Sequence, residues 1–273
     1  MADTVRPVIE RDEDSLTLAF DDERIQSRMR LDDPTALDLP YSQAMMAALM
    51  FVPQPRRVLM IGLGGGSLVR HIHHHLPQVD LTVVEIAPEV IALRETFQVP
   101  PDGDRLRVVC ADGVDFVAQS DAGQYDLILL DAFDLEGQPE RLSTMAFYKS
   151  CRTALAPGGM LVANLLDQEP LCSRLIGRIW QVFGESVLPL DVECGGNRIV
   201  LASDDAVFRD CAGHLRARWA GLAPVHQAML DGLTEVLEEE LQPWLPVRRP
   251  AAAPGGGGAS RSPSRGGKPR KRR

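Results

Sequence analysis

The chain has 273 residues, 45% hydrophobic and 25% charged, a balance that fits a globular protein with a substantial core. Residues 248–273 hold nine of the 29 Lys/Arg and no acid, so residues 1–247 set 20 basic side chains against 38 acidic ones, a net of −18. An acidic body of this kind argues against a general nucleic-acid binder, and no apolar run is long enough to span a bilayer. Met1–Ser15 lacks the apolar region of a secretory signal, and the five cysteines are scattered without a Cys-x-x-Cys pair. A reduced, cytoplasmic location with no membrane partner is expected.

Residues 15–20 and 25–31 read as a β-hairpin turned at Asp21-Asp22-Glu23, with Leu16, Leu18 and Phe20 on one face. Residues 41–51 are strong helix formers and nearly all apolar, so a buried helix is expected, ended by Pro53 and Pro55. From Arg57 onward strand and helix alternate. Strands are expected at Val58–Ile61, Leu81–Glu85, Leu106–Cys110, Tyr125–Leu130 and Met160–Asn164. Helices are expected at Ser67–His75, Pro88–Phe97, Val114–Gln119, Thr144–Leu155 and Leu171–Phe183. Val187–Glu193 and Arg198–Ala202 read as a closing hairpin turned at Gly195-Gly196-Asn197. Apolar strands alternating with helices imply an α/β, doubly wound, Rossmann-like fold with a parallel sheet covered on both faces. The expected organisation is a β-hairpin domain at 1–40, a Rossmann-like domain at 41–205, a helical extension at 206–249 and a disordered basic tail at 250–273.

The stretch Val58-Leu-Met-Ile-Gly-Leu-Gly-Gly-Gly-Ser67 is a buried strand, a glycine-rich turn and a helix start, the arrangement by which α/β proteins hold a nucleotide-like ligand. Ser67 stands where a strict dinucleotide fingerprint has glycine or alanine. Polar groups follow each successive strand, where open α/β sheets bind ligands. Glu85 lies about twenty residues past the loop, where a carboxylate can accept both ribose hydroxyls. Asp112 precedes Gly113 and can accept an adenine amino hydrogen; Asp131 and Asp134 end the fourth strand and Asn164 the fifth. Singly, Glu85 is an ordinary strand-end charge and Asp112 an Asx-turn residue. Jointly they point to an adenosine-type ligand.

Four features carry a family resemblance over residues 10–205: Ile25-Gln-Ser27, the glycine loop with Val-Val-Glu85-Ile-Ala-Pro, Ala-Asp112-Gly113, and Tyr125-Asp-Leu-Ile-Leu-Leu-Asp131-Ala-Phe-Asp134 followed by Phe147 to Gly159. The sequence resembles the spermidine synthase (polyamine aminopropyltransferase) family of class I S-adenosylmethionine-fold transferases. That resemblance implies a small N-terminal β-domain on a seven-stranded sheet, usually as a homodimer. It implies that Gln26, Gly62, Gly64, Gly65, Gly66, Glu85, Ile86, Asp112, Gly113 and Asp131 hold the donor, and that Asp131, Asp134 and Tyr41 face the amine acceptor. Two departures bear on the reaction. Gly65 replaces a loop Asp that holds the donor's ammonium, and Tyr41-Ser42-Gln43 lacks the acid of a Tyr-(His/Gln)-Glu motif. The Gly-Leu-Gly-Gly-Gly-Ser-Leu loop resembles that of spermidine-synthase-like methyltransferases acting on elongation factor. On these departures methyl transfer from intact S-adenosylmethionine is expected, with aminopropyl transfer from decarboxylated S-adenosylmethionine to putrescine the alternative. A catalytically silent nucleoside-binding relative is a third reading. Asp131 is the expected proton acceptor for the amine, assisted by Asp134. Its structural alternative is to orient the sulfonium or close a turn.

His71, His74 and His75 fall on neighbouring helical positions and read as a solvated face rather than a metal site, so no metal is expected. Trp180, Trp219 and Trp244 read as packing residues rather than stacking platforms. The tail, ending Lys-Pro-Arg-Lys-Arg-Arg, has the composition to contact RNA or ribosomes, or to act as a solubilising arm.

Overall fold

The structure, a computed structural model, describes residues 7–19, 25–134, 137–192 and 196–245. The expected turn at 21–23, Gly195 of the closing turn and the tail at 250–273 lie outside the described residues. The chain opens with a three-stranded antiparallel sheet: β1 (Val8–Arg11), β2 (Ser15–Ala19) and β3 (Ile25–Arg30). β2 and β3 are the expected hairpin. β1 was not expected, because all four of its residues are exposed and it carries no apolar alternation.

Two short helices follow, α1 (Pro40–Met45) and α2 (Ala48–Phe51), where one helix was expected. Between them the backbone tightens to i→i−3 bonds, with Met46 N–H on the Gln43 carbonyl and Ala47 N–H on that of Ala44, both at 3.0 Å. The alternating region is β4 (Arg57–Ile61), α3 (Ser67–His75), β5 (Asp80–Glu85), α4 (Pro88–Ile91), β6 (Leu106–Cys110), α5 (Gly113–Ala118) and β7 (Tyr125–Leu130). It continues through α6 (Met145–Ala154), β8 (Leu155–Leu166), α7 (Leu171–Phe183), β9 (Val187–Asp191) and β10 (Asn197–Ala202), and ends in α8 (Asp205–Ala220) and α9 (Pro224–Glu240). The expected helix at 88–97 is regular only to Ile91 and then runs on in irregular turns to Phe97. β8 begins at Leu155, ahead of Pro157-Gly158-Gly159, rather than after them.

The second sheet has seven strands in the order β6-β5-β4-β7-β8-β10-β9. The first five are parallel and the last two antiparallel to their neighbours. Alternation along the strands fills two cores. Val58, Met60, Val83, Leu127, Leu129 and Val162 pack on one face with α1, α2, α3, α8 and the N-terminal sheet. Leu59, Ile61, Ile128, Leu130, Leu161 and Ala163 pack on the other with α6 and α7. A register slip of one residue in β7 would exchange Leu127 and Leu129 with Ile128 and Leu130 between the two cores. Among the described residues no helix is long and apolar enough to cross a membrane.

Two expectations are corrected by this packing. His71 is not on a solvated face but is 1% exposed, because α9 folds back over α3. Its Nδ1 meets the Thr35 carbonyl at 2.9 Å, so Nδ1 carries the hydrogen and Nε2 is the acceptor facing His226 Nε2 at 3.1 Å. Burial lowers both imidazoles to about 4. His74 alone of the three is exposed. Trp180 is also not a packing residue, being 52% exposed on α7, whereas Trp244 stacks on Phe208 at 4.7 Å and Trp219 donates to the Gln227 carbonyl.

Candidate active site

The strand order reverses at β4, with β5 on one side and β7 on the other, so the chain diverges there and leaves a crevice at the carboxyl ends. The ends are stitched together by backbone bonds: Gly62 N–H to the Val84 carbonyl and Asp131 N–H to that of Ile61, each 2.9 Å. Position 62 must be glycine. Its φ is +96°, and a Cβ there would lie 2.0 Å from the Asp131 carbonyl oxygen. The crevice opens into a cleft of about 370 Å³ that reaches from Gln26 and Tyr41 to Asp134 and Arg141.

On the β4–β5 side, Gln26, Gly62, Gly64, Glu85, Ile86, Asp112 and Gly113 all line this cleft. Gly65 and Gly66 stand behind its wall: Gly65 packs against Ser27 and Phe97, and Gly66, at φ +72°, leads into α3. Glu85 is already engaged. One carboxylate oxygen accepts Leu63 N–H at 2.8 Å and the other Ala87 N–H at 2.9 Å, which ties the glycine loop to the end of β5. Each oxygen keeps a second lone pair for a ligand hydroxyl. Asp112 caps α5 by accepting Val114 N–H at 2.8 Å, and its other oxygen pairs with Arg141, which also reaches Asp115 at 2.9 Å. Ile86 is 66% exposed, an apolar side chain held open at the rim where a planar ring could rest.

On the β7–β8 side, Asp131 stands at the centre of a hydrogen-bonded chain. Asn197 Nδ2 donates to Asn164 Oδ1, and Asn164 Nδ2 donates to Asp131 Oδ1, both at 2.9 Å. The Tyr41 hydroxyl lies against the same carboxyl and donates to the Gln26 carbonyl at 3.0 Å. Burial raises Asp131 to about 6, against the opposing pull of the Asn164 and Tyr41 contacts. Burial and the neighbouring Asp131 charge raise Tyr41 well above its ordinary value, so it stays protonated. Asp134 lines the outer end, and its backbone pairs with Gly137. Gln43 is turned out of the cleft, with its amide donating to the Leu37 carbonyl at 2.7 Å.

Three neighbours were invisible to sequence reasoning. Arg141 sits in a short 3₁₀ turn, Glu140–Ser143, with no motif around it. Asn197 reaches the site only because β10 pairs with β8 in the register that sets Asn197 opposite Leu166. Ser27 closes the Ile25-Gln-Ser27 stretch, but that stretch assigns its side chain no role. The cleft thus joins a backbone-lined pocket with ribose-compatible acceptors to a carboxyl titrating near neutrality, a combination suited to proton acceptance beside a bound nucleoside.

Comparison with known proteins agrees with this geometry. The family model described as the spermine/spermidine synthase domain matches residues 39–185. The polyamine aminopropyltransferase of Chromobacterium violaceum is 41% identical over 187 residues, which cover 68% of this chain and 71% of that protein. Among solved structures, a probable spermidine synthase from Corynebacterium glutamicum superposes with a TM-score of 0.64 at 20% identity, covering 91% of this chain and 95% of its own. Human methyltransferase-like protein 13 in complex with SAH gives 0.56 at 23% identity, over 78% and 94%. At those identities the two structures speak to the fold alone. The match over more than half the chain, together with the relative at 41% identity, establishes that this protein is a transferase-family member: it belongs to the spermine/spermidine synthase domain family.

Proposed function

We propose that the protein is a polyamine aminopropyltransferase that moves the aminopropyl group of decarboxylated S-adenosylmethionine onto a primary amine of the putrescine class. The observation that carries the reading is the Asp131 carboxyl, raised to about 6 and facing the cleft beside the glycine loop. The nucleoside would lie along Gly62, Gly64, Glu85 and Ile86, with Asp112 and Gly113 at its base end and Gln26 across the cleft. An amine arrives as an ammonium ion and must lose a proton before its nitrogen can attack. Asp131 accepts that proton, with Asn164 and Tyr41 holding the carboxylate and Asp134 steering the cationic acceptor from the rim. The nitrogen lone pair then forms a bond to the carbon beside the sulfonium, the carbon–sulfur bond breaks, and its electron pair neutralises sulfur as the thioether. Most of the acceleration comes from alignment of the two partners. Cytoplasmic catalysis as a homodimer accompanies this reading.

The methyl transfer expected from the loop is the second reading. Two observations favour it: position 65 is glycine and lacks the family's loop carboxylate, and Gln43 faces away from the cleft. Relatives at 41% and 38% identity are named polyamine aminopropyltransferases, which weighs on the other side. Incubation with decarboxylated S-adenosylmethionine and putrescine should release 5′-methylthioadenosine and spermidine in equal amounts. Turnover of intact S-adenosylmethionine to its demethylated product, with none of the decarboxylated form, would establish the second reading instead.

A further inference from the structure

We infer that Ser27 determines which donor tail this site takes: it presents the cleft with a hydroxyl oxygen that has no hydrogen to give, and so selects a cationic amine over a carboxylate. The inference rests on the donor site proposed above. Ser27 and Ser67 both line the cleft beneath the glycine loop and are 3% and 9% exposed. Their hydroxyl oxygens lie 2.9 Å apart, and Ser67 Oγ is 3.2 Å from the Arg28 carbonyl.

Counting hydrogens fixes the direction of this chain. The Arg28 carbonyl can only accept, so the bond to it uses the single hydroxyl hydrogen of Ser67. The 2.9 Å contact is then made by the hydrogen of Ser27. The opposite orientation would forfeit the bond to Arg28 in a partly buried place, where an unmade bond is costly. Ser27 Oγ is left with lone pairs alone.

The adjacent cation does not reverse this. Arg70 is 3% exposed, and its guanidinium is directed at backbone carbonyls: Nε at Pro34 (2.6 Å), and Nη1 at both Gly65 and Phe97 (2.7 Å to the latter). Its Nη2 leans toward Ser67 Oγ at 3.4 Å. Little donor capacity remains for a carboxylate. Gly65 completes the arrangement, since a Cβ there would lie 2.8 Å from Ser27 Oγ and 3.1 Å from Phe97 Cδ1. A side chain at 65 would press on Ser27 and oblige its hydroxyl to turn away, and this chain has the hydroxyl and no such side chain. The bare loop is therefore compatible with an ammonium-tailed, decarboxylated donor.

Calorimetry on the full chain and its Ser27→Ala variant tests this, with decarboxylated S-adenosylmethionine, intact S-adenosylmethionine and 5′-methylthioadenosine as ligands. The last has the nucleoside thioether and no tail amine. Wild type should prefer the decarboxylated donor to the intact one. S27A should weaken the decarboxylated donor about tenfold, the scale of one hydrogen bond to a charged group, and leave 5′-methylthioadenosine within about twofold. Equal weakening of the two ligands, weakening of neither, or a wild-type preference for the intact donor would overturn the inference. Failure of 5′-methylthioadenosine to bind wild type would be a different result: it would remove the nucleoside site itself, and the inference with it.

Discussion

Among the described residues, two titratable clusters are withdrawn from solvent, and they differ in what burial is used for. Asp131 with Asn164 and Tyr41 opens onto the cleft; His71 with His226 is shut between α3 and α9. Burial drives both toward neutrality, raising the acid to about 6 and lowering the two bases to about 4. The acid retains a solvent-facing path along which a proton can move. The histidines are satisfied by each other and by the Thr35 carbonyl, so their shift becomes a property of folding. A perturbed titration marks chemistry only where a ligand can reach it.

The largest effect should come from breaking the open cluster. Asp131→Asn keeps the shape and the contact with Asn164 but cannot take a proton. Turnover should fall by about 10²–10⁴-fold while donor affinity stays within a small factor. Stopped assays of 5′-methylthioadenosine release, paired with calorimetry, check this; unchanged turnover would leave Asp131 an orienting residue. Breaking the closed cluster should instead change stability and its pH dependence. Between the unfolded value near 6.5 and the folded value near 4, the unfolded chain binds more protons at these imidazoles, so stability falls as pH drops through that window. The loss should be on the order of 3 kcal/mol per imidazole at most. His226→Phe should lower the urea midpoint at pH 7, because His71 Nε2 loses its donor, yet flatten the decline between pH 7 and pH 5. An equal decline in both proteins would show that other groups govern it.

The two clusters also differ in how far the sequence exposed them. Asp131 was legible because it ends an apolar run of strand length, and the rule that ligands gather at strand ends gives such a residue a role. The sheet, its two cores and the loop at Gly62 were legible for the same reason: continuous apolar strands and glycine punctuation are local signals. The burial of His71 was not, because its partner is 155 residues away and α9 had to be placed first. Asn197 and Arg141 depend in the same way on register and loop placement. β1 escaped because an exposed strand has no alternation, and the break near Met46 escaped because propensity does not distinguish an α-helix from two turns joined by a tighter one.

Smaller perturbations of the open cluster should move its titration without abolishing it. Activity that needs the Asp131 carboxylate should rise through about pH 6 instead of the range near 4 usual for an aspartate. Asn164 donates to the charged form and so lowers this value; Asn164→Ala should move the acidic limb upward by roughly one unit, the equivalent of one charge-assisted hydrogen bond. Tyr41→Phe should move it in the same direction by less, roughly half a unit, because the Tyr41 hydroxyl divides its single hydrogen between Asp131 and the Gln26 carbonyl. The order of the two shifts is the sharper measurement. If Tyr41→Phe moves the limb further than Asn164→Ala, the hydroxyl hydrogen points at the carboxylate during turnover and the Gln26 carbonyl takes its bond from the ligand. If neither moves it, the limb belongs to a group other than Asp131, and the open cluster is as structural as the closed one.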